Sequence, residues 1–338
     1  MSARTRWSAG LFGVTLAMLS CSAIARNQDE VGEWLDRMAR AVDMLNYRGT
    51  LVHMRNGQVD TLRIIHRADA DGIRERIYSL DGQPREILRN GNEVRTLIEG
   101  DQPLIVQGGI GARLLPHLPV SQLSSPILGY RMRFAGTDRV AGMMTRVIEI
   151  RPRDQFRYGH RFWLEEQTGM LLRSALLDHA GRHIQKLTFV DVELGVPISD
   201  SELDPTITRS DAPEATLSEQ SVSPTSTTEL RQASWRPARL PDGFRLASVG
   251  KGDSPDGKAF EHLLFSDGLT SFSVYVEDAR SAEQSRDVSE RLEAMGPVHV
   301  YTGMVDQHRV TVVGEVPPAT VALIAQQLER KSSGSSSD

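Results

Sequence analysis

Carboxylates that could trade a proton and imidazoles that could share a metal are the first residues to seek in this chain. Glu165, Glu166 and Asp178 would supply an acid and a base if folding gathered them. Glu165 and Glu166, however, are neighbours on a predicted strand and point to opposite faces. His179 and His183 have the four-residue spacing that joins metal ligands on a helix, but Gly181 between them predicts a hairpin, where that spacing has no such meaning. Gly108-Gly109-Ile110-Gly111 lacks the strand-to-helix setting of a phosphate-binding loop. There is no Gly-x-Ser-x-Gly elbow, no Gly-Lys-Ser/Thr phosphate loop and no His-Glu-x-x-His. The expectation is a protein that binds rather than transforms, with no catalytic residue, no metal and no cofactor.

Charge and composition narrow the binding partners. The 338 residues are 39% hydrophobic and 25% charged, enough apolar material for two cores. The formal net charge of −5 mixes both signs along the sequence, with no basic stripe that would neutralise nucleic-acid phosphates. Arg4 and Arg6, the apolar run Leu11–Leu19 and the small-x-small site Ala23-Ile24-Ala25 read as an export signal over 1–25. The mature chain would then start at Arg26 and be soluble and periplasmic. The competing reading is a lipoprotein signal at Cys21, for which Leu19 is a poor match.

The elements that must position any site follow from periodicity. Val31, Trp34, Leu35, Met38, Val42 and Leu45 recur at helical spacing, with Asn27 as a candidate cap and Glu30 its reciprocal partner. Short β-branched runs then alternate with turn dipeptides such as Asn56-Gly57, Asp71-Gly72, Asn90-Gly91 and Ala141-Gly142, which predicts an antiparallel meander. The fold class is α+β: an unclosed β half-barrel wrapped around a helix over 26–198. Leu62, Ile64, Phe162 and Leu164 fall on the side of the strands expected to line an apolar cavity. The apolar stretch Pro103–Leu128 reads as a short buried helix near Val120–Leu128 with flanking loops, or as a flap over the cavity. Residues 199–234 have linker composition, and 235–330 form a smaller α+β unit whose final helix carries Val321, Ile324, Ala325 and Leu328 on one face. A Ser/Gly tail, 331–338, is expected to be disordered.

Four motifs carry a resemblance. Arg151-Pro152-Arg153-Asp154-Gln155-Phe156-Arg157-Tyr158-Gly159 leading into Phe162-Trp163-Leu164, Leu240-Pro241-Asp242-Gly243-Phe244, Ser266-Asp267-Gly268 before Phe272-Ser273-Val274, and Val312-Val313-Gly314-Glu315-Val316-Pro317 together resemble the MucB/RseB family, in the family's order. The resemblance implies a large N-terminal domain like the carriers LolA and LppX and a smaller C-terminal domain. It also implies binding to the periplasmic part of a membrane-spanning anti-sigma factor of the RseA/MucA kind, protecting it from proteolysis. Lipopolysaccharide or mislocalised lipoproteins would weaken that grip. Arg153 and Arg157, beside the Phe162 strand, are candidates to meet a head group or partner. The alternative is a periplasmic lipid or lipoprotein carrier with no regulatory partner; the second unit speaks against it.

Overall fold

The computed structural model describes residues 29–91, 93–98, 104–107, 114–115, 129–207, 215–218, 233–253, 259–278 and 290–331. The expected export signal with Cys21, the Asn27 cap, the helix expected near Val120–Leu128, most of the connection after residue 207 and the tail beyond Lys331 lie outside the described residues.

The helical stripe forms α1, residues 29–44. The meander follows as β1 (Tyr47–Arg55), β2 (Gln58–Asp69), β3 (Gly72–Ser79), β4 (Arg85–Asn90), β5 (Glu93–Ile98), β6 (Leu104–Gln107), β7 (Tyr130–Val140), β8 (Met143–Pro152), β9 (Gly159–Glu165), β10 (Leu171–Leu177) and β11 (His183–Leu194). With β12 (Ala215–Ser218) they make one 12-stranded sheet in the order β12-β6-β5-β4-β3-β2-β1-β11-β10-β9-β8-β7. Its edges, β12 and β7, lie at opposite ends of that order, so the sheet is unclosed. At Asn56-Gly57, φ values of 52° and 78° give the two-residue turn that joins β1 to β2 without splaying them.

Burial shows why this sheet curves. Val31, Leu35, Met38 and Val42 of α1 share one core with Ile77 of β3, Leu51 of β1 and Ile148 of β8. A flat sheet would hold β3 and β8 about 30 Å apart at ordinary strand spacing. One helix shares a single core with all of them because the sheet wraps around it.

The second unit has its own core. A 6-stranded sheet runs β14-β15-β16-β19-β18-β17, from β14 (Arg245–Asp253), β15 (Ala259–Ser266), β16 (Ser271–Asp278), β17 (Arg291–Met295), β18 (Val298–Val305) and β19 (His308–Gly314). A small pair joins β13 (Trp235–Pro237) to β20 (Leu328–Arg330). Val321 and Ile324 of the final helix, Pro318–Gln326, pack with Val274, Val310, Val312, Phe244 and Trp235. Leu328, expected on that helix, is instead in β20 and is still buried in the same core.

Two expectations about connections are corrected. Residues 199–207 are not linker: Asp200–Leu203 form the short helix α2, making the final helix α3. Ile198 and Leu203 pack on Ile65 against the outer face of the sheet. The Glu86 carboxylate fixes the end of this stretch, accepting from the backbone N–H of Thr206 at 3.1 Å and of Ile207 at 3.2 Å and from the Thr206 hydroxyl. Composition hid these few anchoring residues among polar ones. Further along, Ala215–Ser218 pair in parallel with Leu104–Gln107, so each supposed irregular stretch supplies one strand to the other.

Candidate functional site at the junction of the two sheets

The hairpin between β8 and β9 carries the central motif, and its arginine crosses into the second unit. Arg157 is wholly buried and donates through Nη1 to Asp267 Oδ2 at 2.7 Å and through Nη2 to the Asp242 carbonyl at 2.6 Å. Asp267 is buried as completely as its partner. Its other oxygen accepts the backbone N–H groups of Leu269 and Thr270, both at 2.9 Å, so the β15–β16 turn fixes the carboxylate before Arg157 arrives. Burial pushes this carboxyl up, while those N–H groups and then the guanidinium pull it back. Asp154 approaches Arg157 Nη2 at 3.1 Å from the arginine's own hairpin. The guanidinium carbon lies 4.7 Å from the Phe244 ring centroid and 5.2 Å from that of Tyr130.

Further contacts surround this pin. The Thr320 hydroxyl, in the first turn of α3, donates to the Phe156 carbonyl at 2.7 Å. Tyr158 Oη stands 3.5 Å from His299 Nδ1, and the Tyr158 phenol is pushed up to about 12 by burial, with Glu315 and Asp178 adding to it. Leu269 reaches over to pack on the core of the first unit. The four quoted motifs thus converge: Arg157 from the first, Asp242 and Phe244 from the second, Asp267 from the third and Val316, whose carbonyl lies 2.9 Å from His299 Nδ1, from the fourth. A buried guanidinium–carboxylate pair that loses one partner leaves an uncompensated charge costing about 3–5 kcal/mol. The site can therefore hold the two units in one arrangement, and anything that separates them must rehydrate both charges.

The other candidate residues are placed as follows. Leu62, Ile64, Phe162 and Leu164 are all buried in the core that α1 fills. Arg153 is exposed, its Nε donating to the Tyr130 carbonyl at 3.0 Å. Arg157 has no exposed atom to offer a head group or a partner in this arrangement, because the second unit engages it. Glu165, Glu166 and Asp178 are not gathered: Glu165 caps its own turn through the N–H groups of Gln167 and Thr168, Glu166 is exposed, and Asp178 pairs with Arg182 at 2.7 Å. His179 meets the Gln155 carbonyl, while His183 lies on β11. Among the described residues no group of three metal-type ligands converges. Nor is any helix there long and apolar enough to cross a membrane.

Comparison with known proteins places this architecture. Residues 30–207 match the MucB/RseB N-terminal domain and residues 229–329 the MucB/RseB C-terminal domain. The chain is 31% identical over 304 residues to the sigma factor AlgU regulatory protein MucB of Pseudomonas aeruginosa, covering 88% of this chain and 90% of the relative. It is 28% identical over 313 residues to the sigma-E factor regulatory protein RseB of Escherichia coli K12, covering 91% and 93%. Its structure is similar to that of MucB solved in complex with MucA(peri), with a TM-score of 0.67, 30% identity, and coverage of 89% of this chain and 99% of that one. Both units and the order between them agree, and the chain belongs to the MucB/RseB family of sigma-factor regulatory proteins.

Proposed function

We propose that this chain is an exported periplasmic regulator of a sigma-E-type envelope stress response. It binds the periplasmic segment of a membrane-spanning anti-sigma factor of the MucA/RseA kind, shields that segment from proteolysis, and releases it when a lipid-bearing molecule binds. The observation that carries this reading is the likeness of both units together to MucB solved with MucA(peri). The apolar interior contributed by Leu62, Ile64, Phe162 and Leu164 supports the lipid part, since each methylene buried there contributes about 0.8 kcal/mol. An acyl chain entering that interior competes with α1. For release, the lipid must favour a state that the partner does not, and the coupling is then reciprocal.

The test is a titration of the protein with a labelled periplasmic peptide of the anti-sigma factor, with and without lipopolysaccharide or an acylated peptide, alongside protease protection of the bound peptide. Lowered affinity and lost protection in the presence of lipid are expected. Lipid binding that leaves peptide affinity unchanged would refute the coupled mechanism and favour a carrier of lipids or lipoproteins.

A further inference from the structure

The outer face of the large sheet divides into two halves of different electrostatic character. On β1 to β4 most of the arginines are paired with a carboxylate, two of them with carboxylates that β11 supplies: Arg48 with Glu193, Arg63 with Asp191, Arg67 with Asp69, Arg76 with Glu86. Around one row of β7 to β11 the balance fails. Register places Arg133, Glu149, Arg161, Ala175 and Lys186 side by side across the strands, opposite the face that buries Ile148 and Ile150. Arg133, Arg151 and Arg161 all converge on the one buried carboxylate of Glu149, Arg133 at 2.6 Å and Arg151 at 2.8 Å. Arg173 meets Asp138 at 3.1 Å, a carboxylate that the indole of Trp163 also uses. Among the described residues, Arg131 and Lys186 meet no carboxylate within ion-pair distance. Partial burial and then the neighbouring Arg173 hold the Lys186 ammonium below its ordinary range, as expected where positive charge is crowded.

Positive charge is thus concentrated on one stretch of the outer face of a chain whose formal net charge is −5. The cationic row ends in apolar side chains, because Lys186 pairs in register with Met54 and Met54 with Val59, which are 45% and 54% exposed. Among the described residues, the second unit meets the first at Arg55, Asn56, Tyr130, Phe156, Arg157 and Tyr158 and through Leu269 on its core, and none of these contacts falls on a residue of the cationic row. The cations extend both across the strands, from Arg133 to Lys186, and along them, from Arg131 to Arg133. An extended acidic peptide covers one line of such an array, whereas an anionic lipid surface meets all of it and accepts the apolar end of the row as well.

We propose that Arg131, Arg133, Arg151, Arg161, Arg173 and Lys186 form a docking face for an anionic bilayer surface, separate from the apolar interior and from the junction. The face would lay the protein on a membrane rich in acidic phospholipid, with Met54 and Val59 at the boundary of the head groups.

Cosedimentation of the full chain with phosphatidylglycerol and with phosphatidylcholine vesicles, at low and high salt, tests this; comparison with the variants below separates the face from whatever Arg4, Arg6 and the apolar run Leu11–Leu19 contribute. Binding specific to phosphatidylglycerol and weakened by salt is expected. Lys186→Gln removes a charge that holds no ion pair, so the fold is retained, and should weaken binding roughly fivefold. The triple variant Arg133→Gln, Arg151→Gln, Lys186→Gln should weaken it by more than about tenfold. Arg236→Gln with Arg291→Gln, exposed arginines of the second unit, should leave it unchanged. Equal binding to both lipids, full binding by Lys186→Gln and the triple variant, or displacement from vesicles by polyglutamate at equivalent charge would overturn the proposal, the last in favour of an acidic protein partner.

Discussion

A Cβ atom added to Gly129 would stand 2.2 Å from Nη1 of Arg157, and the glycine holds a φ of +98° that residues with side chains avoid. The carbonyl of Gly129 in turn accepts the backbone N–H of Arg153 at 2.7 Å, tying the start of β7 to the hairpin that carries the arginine. The space at Gly129 is therefore a condition for the pin between the two units.

Arg157→Ala should destabilise the joined state by about 3–5 kcal/mol, since Asp267 is left buried and unpaired. Gly129→Ala should act in the same direction by displacing the guanidinium. Arg157→Lys should recover only part of the loss, because an ammonium cannot span Asp267 and the Asp242 carbonyl as a planar fork does. Calorimetry should show the two cores, joined in the parent, melting as separate transitions in these variants. A single transition at the parental temperature in Arg157→Ala would refute the role given to the pin.

Acid should weaken the large sheet through Glu149. Burial by itself would raise this carboxyl, but hydrogen bonds from Arg161, Arg133 and Arg151 overcome it and lower the pKa to about 2, below the ordinary 4.5. A depressed carboxylate contributes stability that is fully present above about pH 4.5 and lost as pH falls toward 2. Urea unfolding followed across that window should show a slope that Glu149→Gln flattens. An identical slope in the variant would assign the acid sensitivity to other groups.

Glu86 should determine where the connection becomes open to proteases. With Glu86 intact, early cuts should fall after residue 207, and Thr206→Val, which removes one of its donors, should cost about 1–3 kcal/mol locally. Glu86→Gln should admit cuts within 199–207, read by mass spectrometry of the fragments. Parental fragments from that variant would mean that Ile198 and Leu203 hold the segment without help.

Phe162→Ala should cost about 3–5 kcal/mol in the ligand-free protein, because the ring packs in the core that α1 fills. Leu164→Ala should cost about 2–5 kcal/mol. Chemical unfolding without lipid measures both. Parental stability would mean that these residues face an unfilled space and serve a ligand alone.

The sequence made the elements legible where a local rule governs them. Helical spacing from Val31 to Leu45 and hairpin dipeptides such as Asn56-Gly57 are properties of neighbouring residues, and α1 and the β1–β2 turn followed from them. Short strands decided by a distant partner did not: Ala215–Ser218 is a strand because Leu104–Gln107 lies beside it. β17 has all of its residues exposed, so its strand state rests on pairing with β18 and not on a buried face. The candidate site was half visible. Its motifs stand apart from one another in the sequence, and that Arg157 meets Asp267 is a fact of folding with no signature in the spacing. The cationic face was hidden for the same reason, since Arg133, Arg161 and Lys186 become neighbours only through strand register.

The parallel pairing of Ala215–Ser218 with Leu104–Gln107 also sets a length. It anchors the connection at one edge of the large sheet, and the stretch from there to Trp235 spans at most about 60 Å when fully extended. A second unit released from the Arg157 pin is thus leashed rather than lost. It revisits its seat at an effective concentration that the length of the connection sets, whatever the dilution of the protein. Reclosure is then a first-order event that outpaces any encounter between separate molecules. A molecule that keeps the units apart must compete with that return, so the length of the leash tunes how much signal is needed to hold the protein open.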